Sequence, residues 1–234
     1  MSPIQQMLLG TGASAPPGQG GDNVSVSFDG SNDYLAIPDS SVFALGTDDL
    51  TIECFYKAAS GASGYDCIVS FGWKFQLYMH SGKFQYWCQG SSSYFINGEN
   101  TGTSSVSTGV WYHVAVTRSG STFRIFLNGV EKSSATSSTA FGDPEHDIAI
   151  GRFGPNSSYY AQGLTSNFRF TRGQALYTSN FTKPSAVLTT TSQGATASNV
   201  KLLCCNITNT PAGSTVTPST ITNNGATASS DGPF

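Results

Sequence analysis

Hydrophobic and polar residues alternate along residues 110–131, which read VWYHVAVTRSGSTFRIFLNGVE. The alternation predicts two strands, residues 111–118 and 122–128, because successive side chains of a strand point to opposite faces. One face of this pair is apolar and consists of Tyr112, Val114, Val116, Phe123, Ile125 and Leu127. Ser119-Gly120 separates the strands and Asn128-Gly129 follows them, and both dipeptides suit tight turns. We therefore expect an antiparallel hairpin in a sheet that is packed on one face.

A second alternating stretch, residues 73–89, predicts another hairpin with Ser81-Gly82 as its two-residue turn. If residues are counted outward from this turn, Met79 lies opposite Phe84, Leu77 opposite Tyr86 and Phe75 opposite Cys88. These three pairs, together with Trp73, are predicted to form one apolar face. The opposite face carries His80, Lys83, Tyr78, Gln85, Gln76, Trp87, Lys74 and Gln89.

The polar face of this second hairpin has the side chains that a sugar-binding surface needs. Aromatic rings stack on the C–H faces of sugars, and amides hydrogen-bond to hydroxyls as donors and as acceptors. The predicted glycan contacts are Trp87, Tyr78, Gln76, Gln85 and Gln89, with Tyr159 and Tyr160 as alternatives from a loop. The competing interpretation is a covered face, in which Trp87 packs under a loop.

Twelve to fourteen short strands, with turn signals every 8–12 residues and no convincing helix, are predicted along the whole chain. This pattern is typical of a β-sandwich. The length of 234 residues fits one large all-β domain with arms. We divide the chain into an N-terminal arm and linker (1–22), a sandwich (23–206) and a C-terminal segment (207–234). The last segment is either a tail or a final strand of the sandwich.

The N-terminal arm contains a short apolar peptide, followed by a Gly-, Ala-, Ser- and Pro-rich linker. Its apolar residues are Ile4, Met7, Leu8 and Leu9. An apolar peptide on a flexible linker suggests docking onto another subunit. A disordered terminus is the alternative.

Composition limits the possible functions. Charged residues make up 11% of the chain, against roughly 25% in an average soluble protein. A surface of Ser, Thr, Gly and Asn is common in extracellular and virion β proteins. The net charge of −3 without a basic run argues against nucleic-acid binding, and no apolar stretch reaches the ~20 residues of a membrane span. The N-terminus lacks the basic region of a secretory signal, so we expect synthesis in a cytoplasm. The five cysteines are then expected to be reduced and, for the most part, buried.

Three segments of the chain have a familiar pattern: FDGSNDYLAIPDSSVFALGTDDLTIECFYK (28–57), the hairpin at 110–131, and GLTSNFRFTRGQALYTSNFTKPSAVLT (163–189). All three resemble laminin-G-like domains of the concanavalin A-like lectin/glucanase class. The third is similar to the closing segment of versions found in tailed phages of marine bacteria, cyanophages among them. The resemblance covers about residues 23–206. It implies a jelly-roll β-sandwich of two antiparallel sheets, concanavalin A-like, with an extended N-terminal arm.

For function, the resemblance implies a virion-surface protein that binds host polysaccharide weakly, anchored to capsid or tail proteins through its arm. A purely structural cement or decoration protein is the alternative. Phage fibres and spikes are commonly trimers, whereas isolated sandwiches of this kind can be monomers.

The same resemblance bears on catalysis and on metal binding. Glucanases of this class carry Glu-x-Asp-x-Glu or Glu-x-Asp-x-x-Glu on one strand, and none of Glu53, Glu99, Glu131 and Glu145 lies in such a pattern. The nearest approach, residues 143–147, is expected in a loop because Pro144 disfavours a central strand. We therefore expect no enzyme and no cofactor. The resemblance leaves a structural calcium ion open. Asp29 and Asp33 match the turn used by relatives, but Asn167 stands where acidic residues are frequent.

Overall fold

The computed structural model describes residues 22–62, 64–102, 105–155 and 158–234. In these ranges the chain forms sixteen strands and three short 3-10 helices. The strands are β1 (Ser25–Asp29), β2 (Tyr34–Ile37), β3 (Leu50–Ala58), β4 (Asp66–Phe71), β5 (Phe75–His80), β6 (Lys83–Gln89), β7 (Tyr94–Asn100), β8 (Tyr112–Ser119), β9 (Thr122–Leu127), β10 (Val130–Thr136), β11 (Ile148–Ile150), β12 (Gln162–Arg172), β13 (Val200–Cys204), β14 (Ser214–Val216), β15 (Thr222–Asn224) and β16 (Thr227–Ser229). The 3-10 helices are Ser41–Phe43, Ser192–Gly194 and Ala197–Asn199. The predicted anchor residues Ile4, Met7, Leu8 and Leu9 lie outside the described residues.

The strands form two antiparallel sheets, which confirms the predicted sandwich. The first sheet has the order β10-β9-β8-β3-β12-β1-β16, with β13 paired to β12 and β14 paired to β13. The second sheet has the order β15-β2-β11-β4-β5-β6-β7. The strand count exceeds the prediction in part because β14, β15 and β16 have only three residues each, too few for an alternating pattern to be recognised. No helix in the described residues has the length and hydrophobicity needed to cross a membrane.

The hydrophobic core lies between the sheets, and both predicted hairpins contribute their apolar faces to it. Val114 pairs with Leu127 and Val116 with Ile125 in the first sheet. The second hairpin has the predicted register, with Met79 opposite Phe84, Leu77 opposite Tyr86 and Phe75 opposite Cys88. All these side chains belong to one buried cluster.

The other face of the first hairpin is also buried, so the expectation of a sheet packed on one face only is wrong here. His113, Ala115 and Thr117 are fully buried on this face of β8. The segment that follows β12 covers them, since Tyr177 and Phe181 pack against Ala115 and Phe126. A strand covered on both sides can therefore alternate small or polar residues with large apolar ones and still bury all of them.

Trp73 does not belong to the core face of the second hairpin, contrary to the prediction. It lies in the turn between β4 and β5, and its ring packs edge-on against that of Phe153, with ring centroids 4.8 Å apart. This contact is on the outer side of the second sheet, with Tyr78 and Trp87. The alternation of a strand could not be extended to Trp73 because the strand begins only at Phe75.

Tight turns set the registers of both hairpins. Ser119 pairs with Thr122, so the first turn is Gly120-Ser121, one residue later than predicted. Asn128 and Gly129 have φ of 50° and 82° and join β9 to β10. Ser81 and Gly82 have φ of 50° and 68°, which fits a two-residue turn with two positive φ angles.

The C-terminal segment (207–234) contributes β14 and β16 to the first sheet and β15 to the second. β15 pairs with β2 in the second sheet, and β16 pairs with β1 in the first. Phe234 packs edge-on against Phe55, with ring centroids 4.9 Å apart.

Candidate functional site

The candidate site lies on the outer face of the second sheet, where β5, β6 and β7 run side by side. Cross-strand pairing places Gln76 opposite Trp87 and Tyr78 opposite Gln85. A pocket of about 240 Å³ opens above these strands. We call it the aromatic pocket; it is lined by Tyr65, Gln76, Tyr78, Trp87, Tyr94 and Tyr159.

Exposed aromatic rings surround the aromatic pocket. Tyr65, Tyr94 and Tyr159 are 41%, 43% and 50% exposed. They account for half of the large hydrophobic side chains found exposed among the described residues. Exposed rings that gather at one concavity are typical of a binding surface.

The wall of the pocket is held in place by hydrogen bonds and ring contacts. The Trp87 indole Nε1 donates to Asn97 Oδ1 at 2.9 Å, and the Tyr78 ring meets the indole edge-on at 5.2 Å. Tyr65 stacks on His80 with centroids 3.8 Å apart and planes nearly parallel. A wall fixed in this way loses little conformational entropy when a ligand binds.

Tyr159 reaches the pocket through an unusual backbone conformation. Its φ is 54°, a left-handed value that costs a residue with a Cβ roughly 1–2 kcal/mol. The conformation is maintained because the Tyr159 carbonyl accepts a hydrogen bond from the Cys67 amide at 2.9 Å. Strained residues of this kind are often found at functional sites.

The predicted contacts are not all in one place. The aromatic pocket contains Trp87, Tyr78, Gln76 and Tyr159, and Trp87 is a half-buried wall residue rather than one packed under a loop. Gln85 and Gln89, which lie on either side of Trp87 along β6, do not line it. Tyr160 lines a neighbouring pocket instead.

Two pocket residues were missed by sequence reasoning. Tyr94 begins β7, the edge strand, and Tyr65 directly precedes β4. The position of Tyr65 follows from the pairing of β4 with β5. Asp66 lies opposite Met79 in this pair, and the next residue on each strand brings Tyr65 beside His80. That pairing could not be counted because the turn between these strands was not recognised.

The neighbouring pocket has a volume of about 310 Å³ and contains a carboxyl group. We call it the Asp66 pocket; it is lined by Gly30, Gly64, Tyr65, Asp66, Tyr159, Tyr160 and Gln162. Burial raises the pKa of Asp66 to about 7, despite opposing hydrogen bonds with Tyr56 and the Gln162 backbone. Tyr65 and Tyr159 line both pockets, so the two pockets are neighbours.

A buried polar network around Glu53 lies on the outer face of the other sheet. Its Oε1 is 2.6 Å from Arg169 Nη2, and its Oε2 is 3.0 Å from His113 Nε2. The Tyr177 hydroxyl also donates to Oε2, at 2.8 Å. Glu53, His113 and Arg169 have no exposed surface, and although burial opposes ionisation, Arg169 and His113 lower the pKa of Glu53 to about 2. A carboxylate without access to solvent has a structural role here.

The residues implied for calcium use side-chain oxygens in hydrogen bonds within the protein, and Asp33 Oδ2 accepts from the Asp29 amide at 3.1 Å. Asp29 Oδ1 accepts hydrogen bonds from the amides of Ser31, Asn32 and Asp33, chiefly that of Ser31, and these lower its pKa. Asn167 lies at the bulge in β12, where its Oδ1 accepts from the Leu188 amide at 2.7 Å. Across the described ranges, no group of three or more His, Cys, Asp or Glu side chains could hold a metal ion.

Two further expectations concern acidic and thiol groups. Asp143, Glu145 and Asp147 are exposed in a loop that precedes β11, as predicted. All five cysteines are free and buried.

The fold and the matched segments together define the class of protein. The family model described as the concanavalin A-like lectin/glucanases superfamily, of laminin G type, matches residues 29–176. The chain therefore belongs to this superfamily. No curated protein sequence matches it.

Solved structures support the same fold. A Bacteroides ovatus protein to which carbohydrate binding is ascribed aligns with a TM-score of 0.67 and 16% identity, over 89% of this chain and 60% of its own. The Ruminococcus gnavus IT-sialidase CBM40 bound to α2,3-sialyllactose aligns with a TM-score of 0.52 and 14% identity, over 66% of this chain and 91% of that structure. The heptameric SAP-like pentraxin of Limulus polyphemus aligns with a TM-score of 0.51 and 16% identity, over 88% of this chain and 94% of the pentraxin chain. This chain thus spans less than two thirds of the Bacteroides protein.

Proposed function

We propose that this protein is a non-catalytic glycan-binding module and that the aromatic pocket is its binding site. The observation that carries the proposal is the open pocket in which Trp87, Tyr78 and three exposed tyrosines surround the Gln76 amide. Aromatic faces offer a sugar stacking contacts. The Gln76 amide keeps one Nε2 hydrogen for a ligand besides the one that it donates to the Trp73 carbonyl at 2.6 Å. Carbohydrate binding among proteins of the same fold, in Bacteroides ovatus and Ruminococcus gnavus, supports the proposal.

The side chains around the site favour binding over hydrolysis. Glycosidases of the usual type need two carboxyl groups on either side of the scissile bond, ~5 Å or more apart. In the described part of the chain, Asp66 is the one carboxylic residue that lines either pocket. Glu53 has no access to solvent.

The test compares Trp87→Ala with the wild-type protein on a glycan array and by titration with the glycans that it retains. Loss of the indole should weaken binding by about 2 kcal/mol, or ~30-fold, as expected for a central aromatic contact. Trp111→Ala is the matched control, because Trp111 is a half-buried tryptophan outside the pocket whose Nε1 bonds to Asp231. Equal binding by wild type and Trp87→Ala, with both proteins folded, would exclude the aromatic pocket.

We further propose that the module is displayed on a phage virion, where it attaches weakly to host polysaccharide and gains avidity from many copies. Similarity of residues 163–189 to segments of tailed-phage proteins supports this part, as does the apolar peptide at residues 4–9. Deletion of residues 1–22 should then abolish incorporation into particles while glycan binding by the free protein is retained. Incorporation without any affinity for glycans or host cells would favour the cement role.

A further inference from the structure

The aromatic pocket and the Asp66 pocket are adjacent, because Tyr65 and Tyr159 line both of them. Ligand pockets usually measure ~300–1,000 Å³. The aromatic pocket, at about 240 Å³, falls below this range, and the Asp66 pocket, at about 310 Å³, lies at its lower end. Both have room for a small group, and a longer ligand would occupy both.

Asp66 has unused capacity to accept hydrogen bonds. It is 4% exposed, and its Oδ2 lies 3.4 Å from the Tyr56 hydroxyl. That hydroxyl also lies 3.3 Å from the Gln162 carbonyl, and its single proton can serve only one of these two acceptors. An ionised carboxylate has about four acceptor sites. When the hydrogen bond with the Gln162 backbone is counted as well as that with Tyr56, about half of these sites remain for donors from a ligand.

The charges around the pockets select against an acidic ligand. Neither pocket has a lysine or arginine among the described residues that line it. His80 is stacked against Tyr65 at the rim, and its Nδ1 is occupied by the Gly64 carbonyl at 3.1 Å. A uronic or sialic acid in the Asp66 pocket would place its carboxylate beside that of Asp66 without a cation to offset the repulsion.

Building on the proposed function, we infer that the ligand is a neutral oligosaccharide of at least two residues, with one sugar in the aromatic pocket and the next in the Asp66 pocket. The first sugar stacks on the rings, and the second donates hydroxyl hydrogen bonds to Asp66. Tyr159 and Tyr65 separate the two subsites and contact both sugars.

The experiment titrates the full chain at pH 8, where Asp66 is ionised, with neutral gluco-, galacto- and manno-oligosaccharides of one to four residues. Oligogalacturonides of the same lengths serve as acidic probes. Wild type should bind the disaccharide of its preferred sugar at least tenfold more tightly than the monosaccharide. It should bind the acidic series at least tenfold more weakly than the neutral one.

Variants assign the second subsite. Asp66→Asn should weaken binding of the disaccharide about tenfold, the loss expected for a hydrogen bond to a charged group, and leave the monosaccharide unchanged. Tyr160→Ala should behave in the same way, since Tyr160 lines only the Asp66 pocket. Asp143→Asn, the same charge change in an exposed loop, should have no effect.

Three outcomes would overturn the inference. They are binding by wild type that is independent of chain length, equal losses for monosaccharide and disaccharide in Asp66→Asn, and tighter binding of the acidic series. Absence of any glycan binding by the wild type overturns the proposed function as well, so the two failures are distinguishable.

Discussion

Substitution of Glu53 by Gln should strongly destabilise the fold. Glu53 is fully buried and neutralises the equally buried Arg169, whose Nη2 and Nε lie 2.6 and 2.8 Å from Oε1. Glutamine keeps the shape but removes the charge, which leaves the guanidinium buried without its anion. Breaking a buried ion pair from one side costs about 3–5 kcal/mol.

The loss of this ion pair should also loosen the segment that covers the first sheet, residues 173–199. Arg169 Nη1 donates to the Thr189 carbonyl at 2.7 Å and to Ser192 at 3.0 Å. Tyr177, which bonds to Glu53, lies in the same covering segment. The network therefore ties residues 173–199 to the first sheet, and we expect this segment to become exposed to proteolysis in Glu53→Gln.

Thermal unfolding followed by circular dichroism measures the effect. At 2–4 °C per kcal/mol for a chain of this size, the Tm should fall by about 10 °C. Glu131→Gln is the matched control, because Glu131 pairs with Arg124 at 3.4 Å on the surface, where an ion pair contributes about 0–1 kcal/mol.

Acid titration gives an independent check with a definite sign. The pKa of Glu53 is lowered from 4.5 to about 2, so its contribution to stability is present above pH 4.5 and is lost as the pH falls through 2. The Tm of the wild type should therefore decline between these values more steeply than that of Glu53→Gln. A Tm change below 2 °C in Glu53→Gln, or parallel acid profiles, would refute the assigned role of the network.

Two other predictions concern stability. Gly129→Ala should destabilise the protein by at least about 2 kcal/mol more than Gly120→Ala. Both glycines have positive φ angles, so the backbone strain is similar in the two variants. A Cβ on Gly129 would lie 2.1 Å from the Phe181 carbonyl oxygen, whereas a Cβ on Gly120 would have no atom within 4 Å. Equal denaturation midpoints for the two variants would contradict this. Asp66 should change the pH dependence of stability in the opposite direction to Glu53, because the pKa of Asp66 is raised from 3.8 to about 7. Its contribution to the stability of the fold is present below pH 3.8 and is lost as the pH rises through 7. Asp66→Asn should remove this decline, and a Tm profile from pH 4 to 8 that is unchanged in the variant would show that Asp66 is not the group responsible.

The sequence predicted local structure well where strand alternation and a short turn coincide. In residues 75–88 the Ser81-Gly82 turn fixes the pairing, and each apolar pair was found as expected. The core faces of β8 and β9 were predicted correctly from alternation alone, since the turn between these strands lies one residue later than expected. Alternation reports which side chains share a face, and a tight turn leaves only one register.

The site was predicted only in part because its residues come from separate segments of the chain. Trp87, Tyr78 and Gln76 share a hairpin, and their common face could be counted. Tyr65 and Tyr159 reach the pocket through contacts between loops that are distant in sequence, with ring centroids 5.5 Å apart. No local pattern predicts such a contact, nor the left-handed backbone of Tyr159.

The position of the site follows from a difference between the two sheets. The segment after β12 continues across the outer face of the first sheet, where Tyr177 and Phe181 stack on each other at 3.5 Å and cover Phe126. On the second sheet, the corresponding face of β5 and β6 is met by aromatic side chains from loops, and these leave an open pocket. A covered face can hold the buried ion pair of Glu53, whereas an open face of rings and amides offers contacts to a ligand. The same alternation of polar and apolar residues thus serves stability on one sheet and, in our proposal, recognition on the other.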